Sequence, residues 1–195
     1  MSIESEGEKL DLSDDMLIQE IRDGQKDSFD TLMQRHQERV YHIAYSFAKS
    51  VENAMDISQN VFLKIYENLG KFRGDSQFKT WMMRITYNES QNWVKKNQKI
   101  LPHQDIEAVA ESSPSSVTHE DEHLISENKT VLLRCLYDLN TKYRLAVILR
   151  YYEGFSIKEI AETLKCSQGV VKNMLFRSLQ KLKTKLKSID FGESQ

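Results

Sequence analysis

Cysteine is scarce: Cys135 and Cys166 are the two thiols in 195 residues. Two thiols cannot build a disulfide framework, which points to a reducing cytoplasm. Two prolines and seven glycines are also few. Sandwiches and barrels need many tight turns, so this scarcity disfavours them and leaves long helices. No apolar run approaches the roughly 18–20 residues of a membrane span. The opening MSIESEGEKLDLSDD is acidic and lacks the basic head and apolar middle of a secretion signal. There is no phosphate-cradling Gly-Lys-Ser/Thr loop and no dinucleotide fingerprint, so nucleotide-dependent enzymes are disfavoured. His119 and His123 stand four apart beside Glu120, Asp121 and Glu122, but the nearest thiol, Cys135, is alone. No metal or other cofactor is expected.

What is present is charge, and it is unevenly spread. Hydrophobic residues at 39% suffice for a core, and 29% charged residues do not make the chain disordered. Residues 1–30 carry ten acidic and three basic side chains, and residues 31–101 carry eleven basic and six acidic. Residues 102–128 carry seven acidic and no Lys or Arg, and residues 129–195 carry thirteen basic and six acidic. The acidic stretch PHQDIEAVAESSPSSVTHEDEHLISE holds both prolines and the cluster Ser112–Ser116, so it reads as a flexible linker. The expected plan is an acidic tail at 1–12, a first domain at 13–99, a linker at 100–128, a second domain at 129–188 and a tail at 189–195. Two basic domains suggest a polyanionic partner, because Lys and Arg displace counterions from a phosphate backbone.

The periodicity is helical throughout, and no convincing period-two strand occurs. Ser13 fits an N-cap, with Asp14 and Asp15 suited to a helix start and Gly24 closing it. After a start at Asp27 or Ser28, Phe29, Leu32, Met33, His36, Val40, Ile43, Ala44 and Phe47 recur on one face. A third helix is expected from about Asn53 to Leu69, with Ala54, Ile57, Val61, Phe62, Ile65 and Leu69 inward. Residues 70–77, GKFRGDSQ, break the pattern, and a fourth helix runs from Phe78 through Trp81, Met82, Ile85 and Trp93 to Lys99. The fold class is therefore all-α: a bundle of about four helices, then a second small helical domain. In the latter, Val131, Leu132, Cys135, Leu136 and Leu139 make one helix. Asn140 or Thr141 caps the next, which holds Ala146, Val147, Leu149 and Tyr151 and ends at Gly154.

Residues 156–182, SIKEIAETLKCSQGVVKNMLFRSLQKL, carry the sharpest local signal. Ser156 and Glu159 fit a capping box. Ile157, Ile160, Ala161 and Leu164 form one apolar face, Lys165-Cys166 a turn, and Ser167 a second cap. Val171, Leu175, Leu179, Leu182 and Leu186 then recur at helical spacing. With small Ala161 where two helices must approach, this is the pattern of a helix-turn-helix, whose second helix enters the DNA major groove. Its outward positions, Gln168, Lys172, Asn173, Arg177 and Lys181, are amides and cations, suited to base edges and phosphates. Residues 165–187 hold seven basic side chains and no acidic one.

A second stretch, 71–99, interleaves Phe72, Phe78, Trp81, Tyr87 and Trp93 with Lys71, Arg73, Lys79, Arg84, Lys95, Lys96 and Lys99. Flat rings stack on unpaired bases while cations follow the backbone. Trp81 and Ile85 are assigned to the core, whereas Phe72, Arg73 and the Lys95–Lys96 end are assigned to DNA.

Three motifs in order resemble a known family. Ala54-Met55-Asp56-Ile57-Ser58-Gln59-Asn60-Val61-Phe62 is similar to the polymerase-binding helix of bacterial sigma factors of the extracytoplasmic-function group. Phe72-Arg73-Gly74, Phe78-Lys79-Thr80-Trp81, Arg84-Ile85 and Asn88 are similar to its promoter-melting segment. Gly154, Ser156, Glu159-Ile160-Ala161 and Gly169-Val170-Val171-Lys172 are similar to its helix-turn-helix. The resemblance implies a non-enzymatic, cytoplasmic promoter-recognition subunit with a region 2-like and a region 4-like domain. It implies that Asp56, Gln59, Asn60, Phe62 and Lys64 contact core RNA polymerase at the β′ clamp helices, with the β flap as a further contact. It implies that Lys71, Phe72, Arg73, Phe78, Thr80, Arg84, Asn88, Lys95 and Lys96 meet the −10 element, and that Ser167, Gln168, Lys172, Asn173, Arg177 and Lys181 meet the −35 element. It further implies a linker running near the polymerase active-site channel, a stress-responsive role and an anti-sigma factor, soluble or membrane-bound, that holds the chain inactive. The chain departs from the family pattern at Met55, where a carboxylate is usual, and at Val170 and Met174, where polar residues are usual. The alternative is a stand-alone helix-turn-helix regulator that binds a duplex operator as a dimer.

Overall fold

The computed structural model describes residues 12–97 and 131–190, which divide into two compact helical units. Residues 1–11, 98–130 and 191–195 lie outside the described set, and with them the linker, the His119/His123 pair and most of both tails. Among the described residues there is no strand, and no helix is long and apolar enough to cross a membrane.

The first unit holds α1 (Asp14–Arg22), α2 (Asp27–Ala48), α3 (Val51–Asn68), a 3-10 turn (Leu69–Lys71) and α4 (Phe78–Asn97). Local chemistry sets the helix ends. The Ser13 hydroxyl accepts from the Met16 amide at 3.3 Å, capping α1 as its sequence predicts. Gly24, at φ +95°, closes α1: its amide reaches Ile21 and the Gln25 amide reaches Glu20, the paired bonds of a Schellman turn. At the end of α2 the left-handed residue is Lys49, at φ 53°, although a glycine would suit the position better.

α2 is the central helix, with α1 and α4 packed against it. It buries Leu32, Val40, Ile43, Ala44 and Phe47, and α4 buries Phe78, Met82, Met83 and Tyr87. Phe47 and Tyr87 meet edge to face at 5.9 Å. α3 buries Ala54, Ile57, Val61 and Ile65 and leaves its opposite side to solvent. α1 buries Leu17 and Ile18, each worth roughly 1.5–3 kcal/mol.

A polar clasp fixes the start of α1 on α2. Asp14 accepts from Arg35 Nη1 at 2.7 Å and faces His36 Nε2 at 2.8 Å, and Arg35 Nη2 donates to the Leu12 carbonyl at 2.7 Å. His36 is therefore a buried, partnered histidine on α2's inner face.

The second unit holds α5 (described over 131–137), α6 (Thr141–Val147) extended by a π-turn (Ile148–Tyr152), α7 (Ile157–Leu164) and α8 (Gln168–Asp190). Asn140 is the cap of α6, its side chain accepting from the Lys142 amide at 3.1 Å. The π-turn replaces the regular helix expected through Tyr151, and it leaves Tyr151 and Tyr152 exposed. α8 packs along both α6 and α7. Its seam is Val171, Leu175, Ser178 and Leu182, and Leu179, expected to face inward, is exposed. Leu179 lies one position, about 100° of rotation, past the seam, where small Ser178 lets the α6 backbone approach.

Burial pushes the Asp14 carboxyl up, but the hydrogen bonds and charges of His36 and Arg35 outweigh it and hold the group below its ordinary 3.8. A depressed carboxyl contributes stability that is present above its unfolded value and lost as pH falls through the folded one. Asp14→Ala should therefore cost about 1–2 kcal/mol at neutral pH in urea unfolding of the first unit, with the gap from the parent closing below about pH 4.

Candidate nucleic-acid interface

The second unit presents its cations on a helix held from behind. Ser156 and Glu159 form the capping box at the start of α7: the Glu159 amide reaches Ser156 Oγ at 3.2 Å and the Ser156 amide reaches Glu159 Oε2 at 2.8 Å. The turn runs through Lys165, left-handed at φ 53°, and the Cys166 amide returns to the Ala161 carbonyl at 3.0 Å. Ala161 is buried, as the close crossing requires. Ser167 caps α8, its hydroxyl accepting from the Val170 amide at 3.3 Å. Burial pushes the Cys166 thiol up, against the weaker pull of Lys142, which leaves it little thiolate character.

With the seam inside, Ser167, Gln168, Lys172, Asn173, Arg177 and Lys181 are all exposed, as their spacing predicts. They do not all project equally. Asp138, in the turn before α6, pairs with Lys185, and Lys181 Nζ donates to its carbonyl at 3.3 Å. Lys181 and Lys185 are thus drawn toward the protein. Phe176, 64% exposed, stands on the same side, four residues after Lys172 and three after Asn173. The charge pattern of α8 does not single it out, although helical spacing alone places it there. An exposed aromatic at that point adds apolar contact to a polar surface, as a thymine methyl requires.

In the first unit the structure does not present all of the residues assigned to DNA at the surface. Phe72, Phe78 and Thr80 are buried rather than exposed. The Phe72 ring lies 5.8 Å from Phe78 and 5.2 Å from Trp81, and Phe78 lies 5.6 Å from the His36 ring. The reason is register: α4 turns Phe78, Met82, Thr86 and Ser90 inward, and Phe72 folds back over its first turn. Trp81 and Ile85, assigned to the core, sit one step round and are only half-buried. Lys71, Arg73, Lys95 and Lys96 are exposed, and Arg84 and Asn88 are half-buried. Lys71 Nζ donates to Asn68 Oδ1 at 3.2 Å. Arg22 of α1 donates to the Phe72 carbonyl, a contact that sequence spacing does not suggest.

α3 carries the remaining candidates. Asp56, Gln59, Asn60 and Lys64 are exposed and Phe62 is half-buried. Asn60 Nδ2 donates to the Asp56 carbonyl at 2.9 Å, and Lys64 pairs with Glu89 of α4 at 2.7 Å. Met55, Leu63 and Tyr66 lie among them at 54%, 57% and 46% exposure, a mixed apolar and polar face of the kind protein partners cover. Among the described residues no group of His, Cys, Asp and Glu is arranged to hold a metal ion.

Residues 32–100 match the family model of Sigma-70 region 2, and residues 129–182 match that of Sigma-70, region 4, together more than half of the chain. The chain is 29% identical over 185 residues to the ECF RNA polymerase sigma-E factor of Haemophilus influenzae, spanning 91% of this chain and 97% of the relative. The sigma-E factor of Escherichia coli K12 is also 29% identical, over 91% of this chain and 96% of its own. Among solved structures, CnrH in complex with the cytosolic domain of CnrY shares the fold at a TM-score of 0.63 and 21% identity, over 89% of this chain and 96% of that one. The sigma factor RpoE, in complex with the anti-sigma factor NepR from Bartonella quintana, does so at 0.64 and 22%, over 82% and 96%.

If Phe72 is a core residue, Phe72→Ala should cost about 3–4 kcal/mol in urea unfolding of the first unit. A ring standing in solvent would leave stability within about 0.5 kcal/mol of the parent.

Proposed function

The chain belongs to the extracytoplasmic-function group of the sigma-70 family of RNA polymerase sigma factors, and from that premise we propose how its two units divide the work of initiation. The first unit docks on the clamp helices of core RNA polymerase through the α3 face of Asp56, Gln59, Asn60 and Lys64, with Met55, Leu63 and Tyr66 supplying apolar area. Met55, where the family has a carboxylate, exchanges a charge for that area. The loop 69–77 presents Lys71 and Arg73 to the −10 strand, with Arg84, Asn88, Lys95 and Lys96 along the same basic segment. Half-exposed Trp81, rather than buried Phe72, is the ring available to an unstacked base.

The second unit lays α8 in the −35 major groove. Ser167, Gln168, Lys172, Asn173 and Arg177 read bases and phosphates, and Phe176 adds apolar contact. Melting costs unstacking energy, and capture of the freed strand offsets part of it. No bond is made or broken by this chain. The exposed Tyr151, Tyr152 and Leu179 of the second unit suit a protein surface such as the β flap. The acidic stretch 102–128 suits a basic channel that otherwise receives nucleic acid. An anti-sigma factor covers the basic faces until a signal releases them, and the site of action is the cytoplasm. The observation that carries the reading is the outer side of α8, where the run from 165 to 187 has seven cations and no carboxylate, and the candidate base-reading side chains all face outward.

The test is run-off transcription with core RNA polymerase and a promoter taken from a randomised pool by the purified chain. Initiation from one start point is expected; duplex binding without polymerase, and no run-off, would return the chain to the operator-binding regulator. Replacing residues 73–77 by a Gly/Ser loop, which keeps the buried Phe72 and Phe78, should spare closed-complex binding and abolish permanganate-detectable melting; open complexes forming at the parent rate would reduce the loop to a connector. Lys172→Ala with Arg177→Ala should weaken closed-complex binding and flatten the dependence of log K on log salt by about 0.9 for each phosphate no longer neutralised. An unchanged slope would remove these two cations from the backbone.

A further inference from the structure

We propose that Arg22 is a positioning residue for strand separation: by holding the Phe72 carbonyl it presets the loop that presents Lys71 and Arg73. The inference rests on the reading of that loop as the strand-capturing element.

Arg22 is the last residue of α1 and lies 50 residues from Phe72 in sequence, yet its Nη2 donates to the Phe72 carbonyl. α1 is a rigid base for that bond. Its first turn is clasped by Arg35 and His36 through Asp14, its last turn is tied by Ser28 donating to Glu20, and Leu17 and Ile18 are buried beneath it. The loop has few anchors of its own. The Phe72 amide reaches Leu69 at 3.1 Å, and the Gln77 carbonyl takes the Thr80 and Trp81 amides at 3.0 and 3.2 Å. Between these, residues 73–76 make no hydrogen bond among the described residues, and Gly74 sits at φ +77°, where backbone freedom is greatest.

Phe72 is therefore the hinge point. Its ring is fixed by Phe78 and Trp81, but a fixed ring still lets the peptide plane between 72 and 73 rotate. The guanidinium on the carbonyl stops that rotation. Arg73 follows directly, so the plane's orientation sets where its side chain leaves the surface. Without Arg22 the loop must be ordered when the strand arrives, and ordering one residue's backbone slows that step about tenfold.

The test uses holoenzyme assembled from full-length chain and core RNA polymerase on a promoter selected from the randomised pool. Arg22→Ala should slow open-complex formation about tenfold by permanganate reactivity, with core association and closed-complex affinity within twofold of the parent. Amide exchange at 71–76 should rise about tenfold while α2, α3 and α4 are unchanged, and Arg22→Lys, which keeps a donor, should recover part of both losses. A direct phosphate contact would instead flatten the salt dependence of closed-complex binding by about 0.9, and that result overturns the proposal. A loss of melting matched by equal losses of unfolding stability and core association overturns it too, leaving Arg22 a fold residue. If the Gly/Ser loop blocks melting and Arg22→Ala does not, the positioning role falls and the loop reading stands; if the Gly/Ser loop melts the promoter normally, both fall.

Discussion

The Phe72 ring, buried against Phe78 and Trp81, is the contact on which the working surface of the first unit depends. A loop of 72–77 holding Gly74 and several polar residues has no periodic hydrogen bonding to shape it. One aromatic side chain pulled into the bundle divides it into an anchored start and a free span, and cations flanking the anchor are forced outward. Because Phe78 also meets His36 of the central helix, the loop is seated on the same core that carries α1 and α4. The surface is displayed by a hydrophobic effect acting beneath it.

The second unit reaches a similar end by a different route. α8 has one narrow seam, Val171, Leu175, Ser178 and Leu182, facing α6 and α7. Among its described residues the other positions are exposed or half-buried, and there the basic residues lie. A wider apolar stripe would have buried positions that the proposed groove contact uses. The narrow seam is sufficient because small residues, Ala161 and Ser178, allow close approach where large ones would hold the helices apart. Asp138 then biases the surface along its length, drawing Lys181 and Lys185 toward it.

Residues 129–195 carry thirteen basic side chains against six acidic in a chain whose net charge is only −2, whereas the first unit over 12–97 balances twelve of each. Residues 1–30 and 102–128 hold seventeen of the 29 carboxylates, and none lies between 165 and 187, where seven cations stand. Segregation of this kind keeps the basic faces effective toward a polyanion, since a carboxylate beside each lysine would compete with the phosphates for it. It also supplies acidic segments able to answer basic surfaces elsewhere in a transcription complex.

The all-α class, the turn after α1, the capping box at Ser156 and Glu159, and the outward set Lys172, Asn173 and Arg177 were all determined by local chemistry: hydroxyl caps, a glycine with positive φ, and a 3.6-residue period. These act between residues a few positions apart, so the string of letters contains them. The fate of Phe72, Trp81 and Leu179 was not so contained. An aromatic beside an arginine reads as a stacking platform, and only packing over the first turn of α4 puts the ring of Phe72 inside and leaves Trp81 at the rim. A leucine spaced four from Leu175 reads as seam, and only the position of the α6 backbone against Ser178 turns Leu179 out. The Arg22–Phe72 bond and the Asp138 hold on two lysines span 50 and more than 40 residues of chain. Contacts at that separation depend on how helices are stacked, which is a property of the whole bundle and of no segment within it.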